Sequence, residues 1–214
     1  MKRDAFISIL AVALLFATAR LMASDCAHFQ SPSPDRLVSY LSEVRPDQAN
    51  GPCIASAISK LGDQRYEPAI PTLTKLLDFH WPPGARQKQA RFVIEHDGSS
   101  IYPAANALKQ MEAKALPAVL DEIRAKSSSR TAVEVAVSVW MTIYKDQAPT
   151  GVALLKQESD RTADPMTRQK IAWAARRAAT WCAPSEESQC RIAAQTLYSG
   201  NPTLKTAETK HSDN

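Results

Sequence analysis

The chain has 214 residues, 44% of them apolar and 22% charged, a balance that excludes wholesale disorder. Its 34 alanines against 6 glycines suit close-packed helices, since alanine costs least in a helix interior, and argue against a sandwich or barrel. The formal net charge of +4 is too weak a bias to mark a nucleic-acid binder.

Met1-Lys2-Arg3-Asp4 is followed by an apolar run over residues 5–19, which Arg20 interrupts. That run is shorter than the ~20 residues a membrane-spanning helix needs. Small residues follow at Ala17-Thr18-Ala19 and Leu21-Met22-Ala23. The pattern predicts a secretory signal peptide over residues 1–23, and with it a periplasmic or secreted protein without stable membrane insertion after cleavage. An uncleaved anchor is the alternative. Asp25 before Cys26 argues against a lipid anchor, where a small residue is required.

Four cysteines follow, Cys26, Cys53, Cys182 and Cys190. An even number beyond a signal-like start favours disulfides. Three pairings are possible, and proximity in sequence favours Cys182–Cys190 and then Cys26–Cys53. Loop-closure entropy gives each roughly 2.5 to 3.5 kcal/mol. The spacing required of a metal site, CxxC or nearby histidines, is lacking, so no metal is expected.

Ser33-Pro34-Asp35 opens a helix carrying Leu37, Leu41 and Val44 at helical spacing. Asn50-Gly51-Pro52 starts another, with Ile54, Ile58 and Leu61 on its apolar face and Gly62 as its expected left-handed terminator. A turn then leads to Ala69-Ile70-Pro71-Thr72-Leu73, with Leu76 and Leu77 behind it. The layout returns at Pro103, with Ala104, Ala107, Leu108 and Met111, then Ala115-Leu116-Pro117 and Ile123. A third pass runs over residues 131–144 and on to Pro149, Val152, Leu154 and Leu155. Pro71, Pro117 and Pro149 each open the second helix of a pair, where a missing N–H does least harm. Asp164-Pro165 begins a fourth pair with Ile171, Ala175, Ala178 and Cys182 on one seam, and a last helix is expected over residues 186–198.

Two segments stand apart from this rhythm. Val133, Val135, Val137, Val139, Met141 and Ile143 alternate as in a strand. A lone strand has no partner for its backbone, however, and the context predicts a helix. An insertion over residues 79–101 begins Phe79-His80-Trp81-Pro82-Pro83-Gly84, a rigid aromatic turn, with a helix expected over 85–95. Residues 24–200 thus read as one repeat domain, and 201–214 as a flexible polar tail.

Repeated two-helix units of this length are the mark of an α-solenoid. The stretch Ile54-Ala55-Ser56-Ala57-Ile58-Ser59-Lys60-Leu61-Gly62-Asp63, with Pro68-Ala69-Ile70-Pro71-Thr72-Leu73 and Leu76-Leu77, resembles a HEAT repeat. It is closest to the short form of phycocyanobilin-lyase-like proteins, in which a Leu-Gly-Asp turn precedes an Ala-Ile/Leu-Pro helix. The resemblance covers residues 53–78 well and 103–126 in part. The later turns have Glu112-Ala113 and Lys145-Asp146 in place of Gly-Asp. It implies an all-α solenoid of about four helical hairpins that acts by binding a protein partner. Lyases of that family hold a tetrapyrrole in the cytoplasm. The signal-like start and the cysteines argue against that role, so no cofactor is expected.

No residue cluster reads as catalytic. Glu95-His96-Asp97 gathers titratable groups, but helical neighbours point about 100° apart and do not converge. GxSxG, GxGxxG and GxxxxGK[ST] are all missing. The candidate partner-binding residues are Lys170, Trp173 and Arg177, at i, i+3 and i+7 on one helical face, and Trp81 in the Pro-Pro turn; tryptophan and arginine dominate binding hot spots. The plainer reading packs Trp173 against the next helix and leaves the charges in water. The competing function is a periplasmic enzyme or small-ligand carrier using the insertion.

Overall fold

The computed structural model describes residue 26 and residues 32–47, 49–82 and 101–195. The expected signal peptide, the helix over 85–95 with Glu95-His96-Asp97, and the polar tail lie outside the described residues.

Among the described residues every regular element is helical. The chain runs through α1 (Pro34–Glu43), α2 (Gly51–Asp63), α3 (Ile70–Thr74), α4 (Pro103–Gln110), α5 (Leu116–Arg124), α6 (Arg130–Ile143), α7 (Ala148–Arg161), α8 (Pro165–Ala179) and α9 (Glu187–Gln195). Short 3-10 turns at Glu67–Ala69, Glu112–Ala115 and Lys145–Gln147 lead directly into α3, α5 and α7. Pro71, Pro117 and Pro149 each stand second in the helix that follows, so the proline periodicity is a structural one. The alternating valines lie in α6, where Val133, Val135, Val137 and Val139 are all buried. Neighbours cover the helix on more than one side, and a two-sided apolar demand produces alternation without a strand.

Helices α2, α4, α6 and α8 pack in succession, each against the next, and α3, α5 and α7 lie against α4, α6 and α8. Helix α8 also meets α5 and α9, which makes it a hub rather than a plain rung. The core follows these contacts, with Leu37, Ile54, Ile58, Leu73, Leu108, Ile123, Leu155 and Ile171 fully buried. Ser159 is buried too, and its hydroxyl donates to the Arg168 carbonyl at 3.1 Å, pinning α7 to α8.

Gly62 does not end α2. The helix continues to Asp63, and the left-handed residue is Arg65 at φ 47°. A Cβ at Gly62 would stand 2.8 Å from the Cα of Ala107, so its bareness serves the α2–α4 crossing. The next turn repeats the arrangement with Glu112 at φ 53°. Arg65 and Glu112 approach to 3.6 Å, and Lys114 pairs with Glu67 beside them. Both pairs are exposed and add little stability; they run with opposite polarity between the two turns.

The sulfurs of Cys26 and Cys53 are 1.94 Å apart and those of Cys182 and Cys190 1.99 Å apart, the two expected pairings. Such pairing is the pattern of an oxidising, non-cytoplasmic compartment. No helix among the described residues is long and apolar enough to cross a membrane.

Asp164 caps α8, its carboxylate accepting from the Thr167 amide at 3.0 Å and the Thr167 hydroxyl at 2.5 Å. These bonds, the hydroxyl's first, hold its pKa below the usual carboxylate value. A lowered folded-state pKa gives stability that is present above the unfolded value and lost as pH falls through the folded one. Asp164→Asn is therefore expected to flatten the acid limb of the melting temperature measured against pH. An unchanged acid limb would contradict this role.

Candidate functional site

Trp81 is half-buried. Its amide donates to the Ile101 carbonyl at 2.9 Å, and its peptide bond to Pro82 is cis. Its indole lies over the first residue of α2, where a Cβ on Gly51 would come within 2.1 Å of the ring. The ring thus covers the start of the helix that carries Cys53, and that contact accounts for Gly51 at the site.

Lys170, Trp173 and Arg177 do share one face of α8, and all three are half-buried. The Lys170 ammonium donates to the carbonyl of Ala125, at the end of α5. Burial there lowers its pKa, with Glu122 opposing the shift. The Arg130 guanidinium, from α6, stands 5.6 Å from the Trp173 ring centroid, within cation–π reach. Arg130 also reaches Glu134 at 3.3 Å, and Arg177 donates to the Thr180 hydroxyl at 3.1 Å. Lys170 and Trp173 on this face are thus engaged by the chain's own α5 and α6.

Two hollows elsewhere were not anticipated. The larger, about 500 Å³, is an open groove between α7 and α9, lined among others by Ala153, Leu154, Lys156, Asp160 and Ala193. Leu154 is 37% exposed, and Ile192, next to Ala193 on α9, is 65% exposed. Lys156 and Asp160 pair at 2.7 Å along its rim. The smaller, about 280 Å³, lies where the end of α6 and the start of α7 face the loop between α8 and α9. Both are assembled from segments far apart in sequence. The signal in the sequence is an off-seam apolar residue: Leu154 beside Leu155, and Ile192 two positions from the buried Cys190 and Ala194.

Among the described residues no group of three or more His, Cys, Asp or Glu side chains is placed to hold a metal ion. No family model matches the chain, and no curated protein or solved structure matches it either.

Proposed function

We propose that the chain is an exported, HEAT-like array of two-helix units that docks a partner protein in the periplasm or at the cell exterior, seating an amphipathic helix of that partner in the groove between α7 and α9. The observation that carries this reading is the apolar line of Leu154, Ala153 and Ala193 along that groove, with Ile192 beside it. Helix α8 packs against both α7 and α9, and the groove of about 500 Å³ between those two is open among the described residues. Helix-in-groove recognition uses such a surface, with apolar anchors at helical spacing. The paired cysteines support the exported setting.

The test places a photo-crosslinking residue at position 192 and, as a control, at exposed position 121 on α5. The expected result is one crosslinked protein from position 192 only. The purified partner should then bind Leu154→Asp/Ile192→Asp at least about tenfold more weakly, the loss expected when a central apolar anchor is removed. Circular dichroism should be unchanged. Equal crosslinking from both positions, or equal affinity of the variant, would refute the assignment.

A further inference from the structure

The smaller hollow has a different chemistry. It is lined by Met141, buried in the last turns of α6, and by Ala148 at the start of α7. Trp181, half-buried, and Glu186 also line it; Glu186 lies within the loop that the Cys182–Cys190 pair closes, and Trp181 directly precedes that loop. Backbone bonds from the Glu186 amide to the Ala183 carbonyl at 2.8 Å and from the Cys190 amide to the Glu186 carbonyl at 3.0 Å hold that stretch in place. The 3-10 turn before α7 contributes Lys145 to the same lining. Among the described residues neither Lys145 nor Glu186 is taken up by a side-chain partner.

We propose that this hollow is a binding site for a small zwitterion with an apolar body, of the class of a free apolar α-amino acid. A ligand carrying only a carboxylate would meet Glu186 as a like charge, and one carrying only an ammonium would meet Lys145. A ligand with both satisfies both, its carboxylate on Lys145 and its ammonium on Glu186. The Trp181 ring face adds a cation–π contribution to the ammonium. The apolar body rests on Met141 and Ala148, where a thioether adapts to more than one side-chain shape. A cavity of about 280 Å³ lies at the small end of ligand sites and suits a molecule of this size rather than a drug-sized one. Glu186 lies within the loop that the Cys182–Cys190 pair closes and Trp181 directly precedes it, so less ordering remains to be done on binding. This site is separate from the α7–α9 groove and does not rest on the docking role.

The experiment is isothermal titration of the full chain with L-leucine and L-phenylalanine, and with N-acetyl-L-leucine and L-leucinamide, each lacking one charge. The expected result is saturable one-to-one binding of a free amino acid, with both blocked forms weaker by about tenfold or more, the worth of one charge-assisted contact. Lys145→Gln should weaken leucine and the acetylated form but leave leucinamide unchanged. Glu186→Gln should weaken leucine and leucinamide but spare the acetylated form. Trp181→Phe should remove the ligand-induced change in fluorescence while three of the four tryptophans remain. Each variant is compared at matched melting temperature, since Lys145 is exposed and Glu186 half-exposed. No saturable heat, equal affinity for the blocked forms, or indifference to both glutamine variants would overturn the proposal.

Discussion

Gly62→Leu is expected to cost roughly 3 kcal/mol or more of folding stability, because a side chain there must push two helices apart. Gly62→Ala is the sharper test, since two effects oppose each other. Glycine inside a helix is worse than alanine by about 1 kcal/mol, so the helix alone would gain. The new Cβ, however, would stand 2.8 Å from the Cα and 2.9 Å from the Cβ of Ala107. Backbone cannot swing aside as a long side chain can, and overpacking of this kind costs about 1–3 kcal/mol. The contact is therefore expected to win, and the urea midpoint to fall. Ala107→Gly in the same chain should restore part of the loss, since it removes the nearby Cβ and leaves the Cα where it was. A rise in the midpoint for Gly62→Ala would mean that the crossing has room and that propensity rules.

Trp140→Ala is expected to lose about 3–5 kcal/mol, the range for truncating a large buried aromatic. Trp140 is 4% exposed, its ring centroid is 5.1 Å from that of Tyr144, and its indole N–H donates to the Gly151 carbonyl at 3.0 Å. One side chain thus joins α6 to α7, at a point where Gly151 lets Tyr144 approach: a Cβ there would stand 2.9 Å from the tyrosine Cβ. Trp140→Phe keeps most of the apolar volume and removes the donor. It should cost about 1–2 kcal/mol, close to one net hydrogen bond with some lost packing. Leu154→Ala, at the rim of the α7–α9 groove, is the surface control and should cost well under half as much as Trp140→Ala. Equal losses for Trp140→Ala and Leu154→Ala would deny that the α6–α7 contact is a core contact.

Local chemistry made the helices legible. Pro71, Pro117 and Pro149 open helices because the ring supplies a helical φ and withholds an N–H that has no partner at that position. Asp164 reads as a cap because its carboxylate can reach back to an amide. The same local logic failed at Gly62, where a glycine near a helix end has two explanations, a left-handed turn or a close neighbour, and only packing tells them apart. Arg65 and Glu112 take up the left-handed positions without glycine, so sequence gave no warning. Ser129 caps α6 through the Ala132 amide at 3.0 Å, but it follows Ser127 and Ser128, and three successive serines do not single out the one that caps.

The candidate sites were less legible, for a related reason. Lys170 and Trp173 carry hot-spot residue types, but the partners that satisfy them, Ala125 and Arg130, belong to α5 and α6 and enter only when the helices are stacked. Trp181 and Lys145 face one hollow although they lie on opposite sides of two helices in sequence. Periodicity ranks the faces of one helix; it does not say which faces of distant helices close around a common space.

The bond between the Trp81 amide and the Ile101 carbonyl holds two points of the chain, twenty residues apart, side by side. For a segment whose ends are neighbours in this way, each doubling in length costs only about 0.6 kcal/mol of closure entropy. Length between those two anchors is therefore the dimension in which this molecule is expected to vary at least cost to the helices that flank them.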